Sequence, residues 1–316
     1  MSENATMLLS EYATDFLRYS GYIVFGLLAA VTNSGIVIII GLHKSLHRRE
    51  FAILASLAVA DLLVGISYVG TGIRRLELLI DGTEDDETAT AVACLIEIFP
   101  LLKTFAPLIS ITMIAVLAFD RLLSVLLLQY YVKFSTLYVS VIVGIAYGSC
   151  SVFNISGAIA AVSNGEVFIS KKCKTSEMMS RFHSDMRQMW QVVGGVVSLF
   201  LYVAVISLLF VLKVRLVENN KNGSQKLDYK RELAVTKTAL IIAALTLVFV
   251  TIPAVLHYAD LATDFQVFVP LNSAINIFVY ANRYEQFRLL LKHILCCRKG
   301  STVQVSPSAF FHKTKE

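Results

Sequence analysis

The sequence predicts an all-α membrane protein, a seven-transmembrane helix bundle with a short amphipathic cytosolic helix after the seventh span. Three observations predict it. Of 316 residues, 56% are hydrophobic and 16% charged, too few charges for a water-soluble domain of this size. Seven nearly uncharged runs, at about 21–42, 51–73, 92–119, 134–162, 188–212, 238–259 and 265–282, approach or exceed the ~20 residues a helix needs to cross hydrocarbon. The basic residues fall mostly on alternate connectors, which gives the bundle a direction.

The runs are read as helices because lipid cannot satisfy backbone amides, and a β-barrel would show short alternating segments instead. Residues 1–20 form the extracellular N-terminus, 21–282 the seven-span domain, and 283–316 the amphipathic helix and tail. The first twenty residues carry Glu3, Glu11, Asp15 and Arg18 without a continuous apolar core, so the expectation is an uncleaved N-terminus with the first span as anchor. With that end outside, Lys44, Arg48, Arg49, Arg121, Lys133, the basic residues of 213–237 and those of the tail all face the cytosol. An acidic run at 81–87 faces out. The net charge of +5 then serves the anionic inner leaflet, and no nucleic-acid partner is needed to explain it. Multi-pass insertion in the plasma membrane is the expected location.

Polar residues interrupt the spans at particular depths. Ionisable groups within a bilayer are expensive, and by default they mark function. Asp61 lies in the second span with no charged neighbour in sequence, and an isolated carboxylate there must protonate or gather water and a cation. Asp120 and Arg121 close the third span, where Arg121 is either a switch or a residue that snorkels to the interface. Pro253 interrupts the sixth span and should bend it. Lys103 sits about a third of the way down the third span, where it needs an acidic partner, an anionic ligand or a shifted pKa.

Together these residues carry a resemblance. Asn33 in TNSGIVIII, LASLAVADLL ending around Asp61, FDRLLSV at 119–125, the proline in TIPAVLHY, and NSAINIFVY followed by RYEQFRLLL resemble the rhodopsin-like (class A) G-protein-coupled receptors over about residues 20–297. The string DRLLSV and a terminal NxxxY without its proline are most similar to nematode serpentine chemoreceptors of class Srsx. Several positions depart from the family pattern. Tyr147 is the nearest candidate for the usual tryptophan of span four, Gly194 and Gly195 replace a span-five proline, Thr251 replaces an aromatic toggle, and Ile277 replaces the proline of the seventh-span motif.

The resemblance implies roles. Asn33, Ser110, Asn272, Ser273 and Asn276 occupy the positions that surround Asp61 in the family, and imply a sodium or water pocket there; a plain interhelical hydrogen-bond network is the alternative. Asp120, Arg121, Tyr202, Pro253, Asn276 and Tyr280 imply the activation switch that opens a cleft for a heterotrimeric G protein. Glu232 is a further candidate partner for Arg121. A Cys94–Cys173 disulfide is implied, against two free thiols. Lys103 stands where the family most often faces ligand, with Thr104, Pro107, Gln191, Thr251, Tyr258 and Gln266 as pocket neighbours or ordinary packing. No span-three aspartate is present to bind an amine. The ligand expected is an extracellular small molecule or peptide, and the resemblance implies a chemosensory neuron, with its sensory cilia, as the setting.

The remaining features are local. Phe287, Leu290, Leu291 and Ile294 recur at helical spacing beside Arg288 and Lys292, a pattern that suits a helix lying on the inner leaflet. Cys296 and Cys297 follow it and suit S-palmitoylation. Asn4-Ala5-Thr6 is a glycosylation sequon on the outer side. A transporter or ligand-gated channel is the competing class, but no internal repeat is evident and buried charges are few. A metal-dependent or triad enzyme is disfavoured by scattered histidines.

Overall fold

The computed structural model describes residues 3–43, 46, 49–82, 88–127, 131, 136–163, 167–218, 236, 240–258 and 264–283; for 3–9, 50, 136, 212–218, 257, 258, 264, 265 and 278–283 it describes the backbone alone. The first two spans are α1 (Glu3–Leu42) and α2 (Arg49–Asp81). A short α3 (Ala91–Ile96) leads into α4 (Ile98–Leu126), the third span, and α5 (Thr136–Ser163) is the fourth. After α6 (Thr175–Met178), α7 (Arg181–Glu218) forms the fifth. The sixth is helical from 240, passes through a π-helical turn at Leu247–Thr251 and continues as α8 (Ile252–Tyr258). The seventh is α9 (Val269–Arg283), entered by a 3-10 turn at Asp264–Phe268.

Five of these helices are long and apolar enough to cross a membrane: Ser10–Leu42, Phe51–Asp81, Ile98–Leu126, Leu137–Ser163 and Arg181–Val211. Among the described residues the sixth apolar helix, Leu240–Leu256, is shorter, and α9 has 15 residues. α1 packs on α2 and α9, while α4 touches α2, α5 and α7, so the third span occupies the middle of the bundle. The outer faces stay apolar. Val141, Ile145, Val152, Ile155 and Ile159 recur at helical spacing along α5 and are exposed, as are Val193, Val196, Phe200 and Val203 along α7. Exposed apolar stripes of this length have no place in water and suit acyl chains.

Three boundaries differ from the sequence reading. No break marks residue 20, because α1 runs unbroken from Glu3 and already buries Tyr19 and Tyr22. Cys94 does not open the third span. It lies in α3, which an extended Glu97 (φ −71°, ψ 128°) separates from α4. Span six is interrupted by more than a simple bend. Pro253 has no N–H to offer the preceding turn, and the helix just before it widens so that the Ile252 amide reaches the Leu247 carbonyl.

At the α3 end, β1 (Thr88–Thr90) pairs antiparallel with β2 (Phe168–Ser170), with Ala89 opposite Ile169. A Cys94–Cys173 disulfide ties the segment after β2 to α3, and Ile169, Met178 and Ala161 pack around it.

Candidate functional site

Three polar layers follow one another down the bundle. The middle one centres on Asp61, which is fully buried. Ser110 of α4 donates to its Oδ1 at 2.6 Å, Ser273 of α9 donates to the same oxygen at 2.9 Å, and Asn276 Nδ2 donates to Oδ2 at 2.7 Å. One carboxylate thus ties spans two, three and seven together. Asn33 and Asn272 do not touch it. Asn33 Nδ2 donates to the backbone carbonyls of Ala29 (2.9 Å) and Ser273 (3.0 Å), and so holds the strut on which the Ser273 hydroxyl sits. Asn272 Oδ1 accepts from Thr246 at 3.4 Å and joins span six to the layer. The side-chain oxygens of Asn33 and Asn276 are buried without a hydrogen-bond partner. A cavity of about 10 Å³ is lined by the Asp61 partners Ser110 and Ser273 with Thr246 and Asn272, among others. Hard oxygens around one carboxylate suit an alkali cation or a water. Among the described residues no group of three His, Cys, Asp or Glu could hold a metal ion.

The second layer lies at the far end of α4. Asp120 and Arg121 are buried together, with Arg121 Nη2 and Nε donating to Asp120 Oδ2 at 2.5 and 3.2 Å. The other oxygen of Asp120 accepts from the Tyr131 hydroxyl at 2.8 Å. Arg49 donates to the Tyr131 carbonyl at 2.6 Å and lies over its ring at 4.6 Å. Burial pushes the Tyr131 phenol above its ordinary pKa, so it stays a donor. Adjacent residues on a helix do not normally face each other; here Arg121 folds back onto its neighbour instead of extending. Tyr202 is buried between Ala118 of span three and Ala243 of span six, which places span five in contact with both.

The third layer is a cavity of about 40 Å³ at the disulfide end. Its lining includes Lys103, Pro107, Gln191 and Gln266, as the sequence suggested, and also Pro253, Tyr68, Thr175, Arg187 and Gln188. Thr104 and Thr251 do not line it. Thr104 turns its hydroxyl back to the Leu101 carbonyl at 2.7 Å, and Thr251 faces Gly195. Among the described residues no acid pairs with Lys103; Glu97, the nearest in sequence, pairs with Arg74. Its ammonium lies over the rings of Tyr22 (4.4 Å) and Tyr68 (4.9 Å). Arg187 was missed because it reads as the last basic residue of an outer loop. The helical spacing of 187, 188 and 191 could have found it, since all three fall on the face that carries Gln191. Pro107, Val250 and Val269 line both this cavity and the smaller one beside Asp61, so the two are separated by a single apolar layer.

The side chains of Tyr258 and Tyr280, Glu232, Cys296, Cys297, the Asn4 side chain and the helix expected after the seventh span all lie outside the described residues. Tyr147, the stand-in for the span-four tryptophan, donates to the Ser56 carbonyl at 2.7 Å and ties span four to span two.

A bundle of apolar helices with a buried polar centre, a buried Asp120–Arg121 pair at one end and a disulfide-tied cavity at the other is the build of a multi-span membrane protein. Residues 32–286 match the 7 transmembrane receptor (rhodopsin family), and the chain belongs to that family. It is also similar to lysophosphatidic acid receptor 1-A of Xenopus laevis, at 22% identity over 86% of this chain and 74% of that protein. Receptor 1-B of the same organism shows the same identity and the same coverage. Family membership implies a G protein and an extracellular ligand as partners, in a lipid bilayer. It is a receptor family and not an enzyme family.

Proposed function

We propose that the chain is a plasma-membrane receptor in which a ligand entering from the disulfide end controls release of Arg121 to a heterotrimeric G protein at the other. The carrying observation is that Arg121 is wholly buried and closed on Asp120 while Tyr202 bridges spans three and six beside it. That is a resting arrangement. Separation of spans three and six would uncover the Tyr202 ring and open space into which the guanidinium can turn from Asp120, and an agonist drives this only by its differential affinity for the two states. The ligand cavity is one apolar layer from the Asp61 network, which joins spans two, three and seven directly and span six through Thr246. A ligand that displaces Pro107, Val250 or Val269 therefore presses on the network.

Sodium fits this network. Asp61 supplies the carboxylate, Ser110 and Ser273 hydroxyl oxygens, and Asn276 or Asn33 a buried carbonyl oxygen that has no other partner. A bound cation would supply charge balance to Asp61 and favour the resting arrangement. The N-terminus is read as extracellular from the distribution of basic residues, and Asn4 as its glycan site. A chemosensory role rests on the likeness of DRLLSV and NxxxY to Srsx receptors. The two relatives are named for lysophosphatidic acid, which makes that lipid one probe beside odorants and short peptides.

The test is G-protein activation in cells expressing wild type or Arg121→Ala at equal surface density, screened with those probes. A response lost in the variant supports the reading. A ligand-evoked current or uptake that survives Arg121→Ala would overturn it in favour of a channel or transporter.

A further inference from the structure

The cavity at the disulfide end carries basic side chains and, among the described residues, no acid. Lys103 and Arg187 both line it, at 5% and 7% exposure. Two like charges held out of water are costly unless an opposite charge joins them. Among the described residues no Asp or Glu lines the cavity. Among the described residues, Glu97 pairs with Arg74, and Asp15 with Arg18 and Lys172. A third cation, Arg75, is also buried and donates to the Lys172 carbonyl at 3.0 Å. The Lys103 ammonium lies against the ring faces of Tyr22 and Tyr68. Arg187 uses Nη2 on the Thr175 hydroxyl at 3.3 Å and leaves Nε buried without a partner.

We propose that this cavity takes the oxyanion headgroup of the ligand, a carboxylate or a phosphate, between the Lys103 ammonium and the Arg187 guanidinium. The inference rests on the reading of this cavity as the ligand site. The guanidinium fork matches two oxygens of such a group, and the free Nε supplies one of the donors. Gln188, Gln191 and Gln266 add amides that can donate to further oxygens. A space of about 40 Å³ holds a headgroup or a few waters, so the remainder of a larger ligand extends out of it. The same field repels cations, so amines are excluded by the charge of the site as well as by the lack of a span-three aspartate.

The test uses the purified full-length receptor in nanodiscs of zwitterionic phosphatidylcholine, with thermal unfolding as readout. Dodecyl phosphate and dodecanoate are the probes, with dodecanol and dodecyltrimethylammonium as controls and inorganic phosphate as the free anion. The anionic amphiphiles should raise the unfolding temperature of wild type and the controls should not. Half-saturation should move at least about tenfold higher in both Lys103→Gln and Arg187→Gln, the loss of one charge-assisted bond, and should be largely kept in Lys103→Arg. A shift reproduced by inorganic phosphate assigns the site to a free anion, and a shift confined to dodecyl phosphate and dodecanoate assigns it to an anionic amphiphile; both support the oxyanion, whereas an equal shift with dodecanol would overturn it. No shift with any anion, or the same half-saturation in wild type and both glutamine variants, would overturn it. No G protein takes part, so failure of this proposal and failure of the receptor reading are separately visible.

Discussion

A Cβ placed on Gly195 would lie 2.1 Å from the Thr251 hydroxyl oxygen. Spans five and six meet there, and glycine is what lets them. The family places a proline near one of these positions and an aromatic ring at the other, so two departures that look unrelated in sequence are one contact in space. Gly195→Ala should cost about 1–3 kcal/mol by overpacking. Thr251→Ala in the same chain should recover part of that, because it removes the closest atom, and thermal unfolding of the single and double variants measures the coupling. Costs that simply add would mean the two residues do not share the site.

The crossing of spans one and two has less room to adjust. A Cβ on Gly65 would come within 2.6 Å of the Ala30 amide nitrogen and 2.7 Å of the Gly26 carbonyl oxygen. Backbone cannot rotate away as a hydroxyl can. Gly65→Ala should therefore lower thermal stability more than Gly195→Ala, and no substitution of a single neighbouring side chain should restore it.

Asp61→Ala leaves Ser110, Ser273 and Asn276 without their shared acceptor. The expected loss is on the order of 3 kcal/mol or more, since bonds to a charged group are each worth about 1.5–3 kcal/mol. Asp61→Asn keeps the shape and removes the charge. If the network holds sodium, replacing sodium by a bulky organic cation should raise basal nucleotide exchange in wild type and leave Asp61→Asn unchanged.

The Asp120–Arg121 pair predicts graded release. Asp120→Asn should raise basal exchange about tenfold or more through loss of a charge-assisted bond, and Tyr131→Phe should raise it by less, in the same direction. The pH dependence has a defined sign. Burial raises the folded pKa of Tyr131 above its unfolded value, so the contribution of the neutral phenol is fully present below about pH 10 and is lost only as pH rises through the folded value. Its hydrogen bond to Asp120 should therefore be constant across neutral pH. A Tyr131-dependent change in basal exchange between about pH 6 and 8 would contradict this.

Much of this was legible in the sequence, and for physical reasons. A buried carboxylate needs donors, which marked Asp61 as a centre; the five residues around it were implied by the resemblance, and three of them do reach it. Periodicity could not say that Asn33 and Asn272 act one bond away, since that depends on rotamers. The disulfide was implied only by resemblance, and the structure forms it. Arg187 was hidden because composition assigns a basic residue next to a loop to water, whereas α7 extends past the apolar run and carries it into the bundle. Lys103 could be named as anomalous but its partners could not. Cation–π contacts to Tyr22 and Tyr68 join spans one, two and three, and no local pattern encodes them.

The central claim is that Arg121, once freed from Asp120, activates a G protein. The most direct measurement needs no ligand: nucleotide exchange on a panel of heterotrimeric G proteins, in membranes carrying wild type, Asp120→Asn or Asp120→Asn with Arg121→Ala at matched surface expression. Asp120→Asn should exceed wild type on at least one heterotrimer, and adding Arg121→Ala should return exchange to the level of membranes without receptor. Exchange in the double variant as fast as in Asp120→Asn alone would show that Arg121 is not the residue through which this receptor signals.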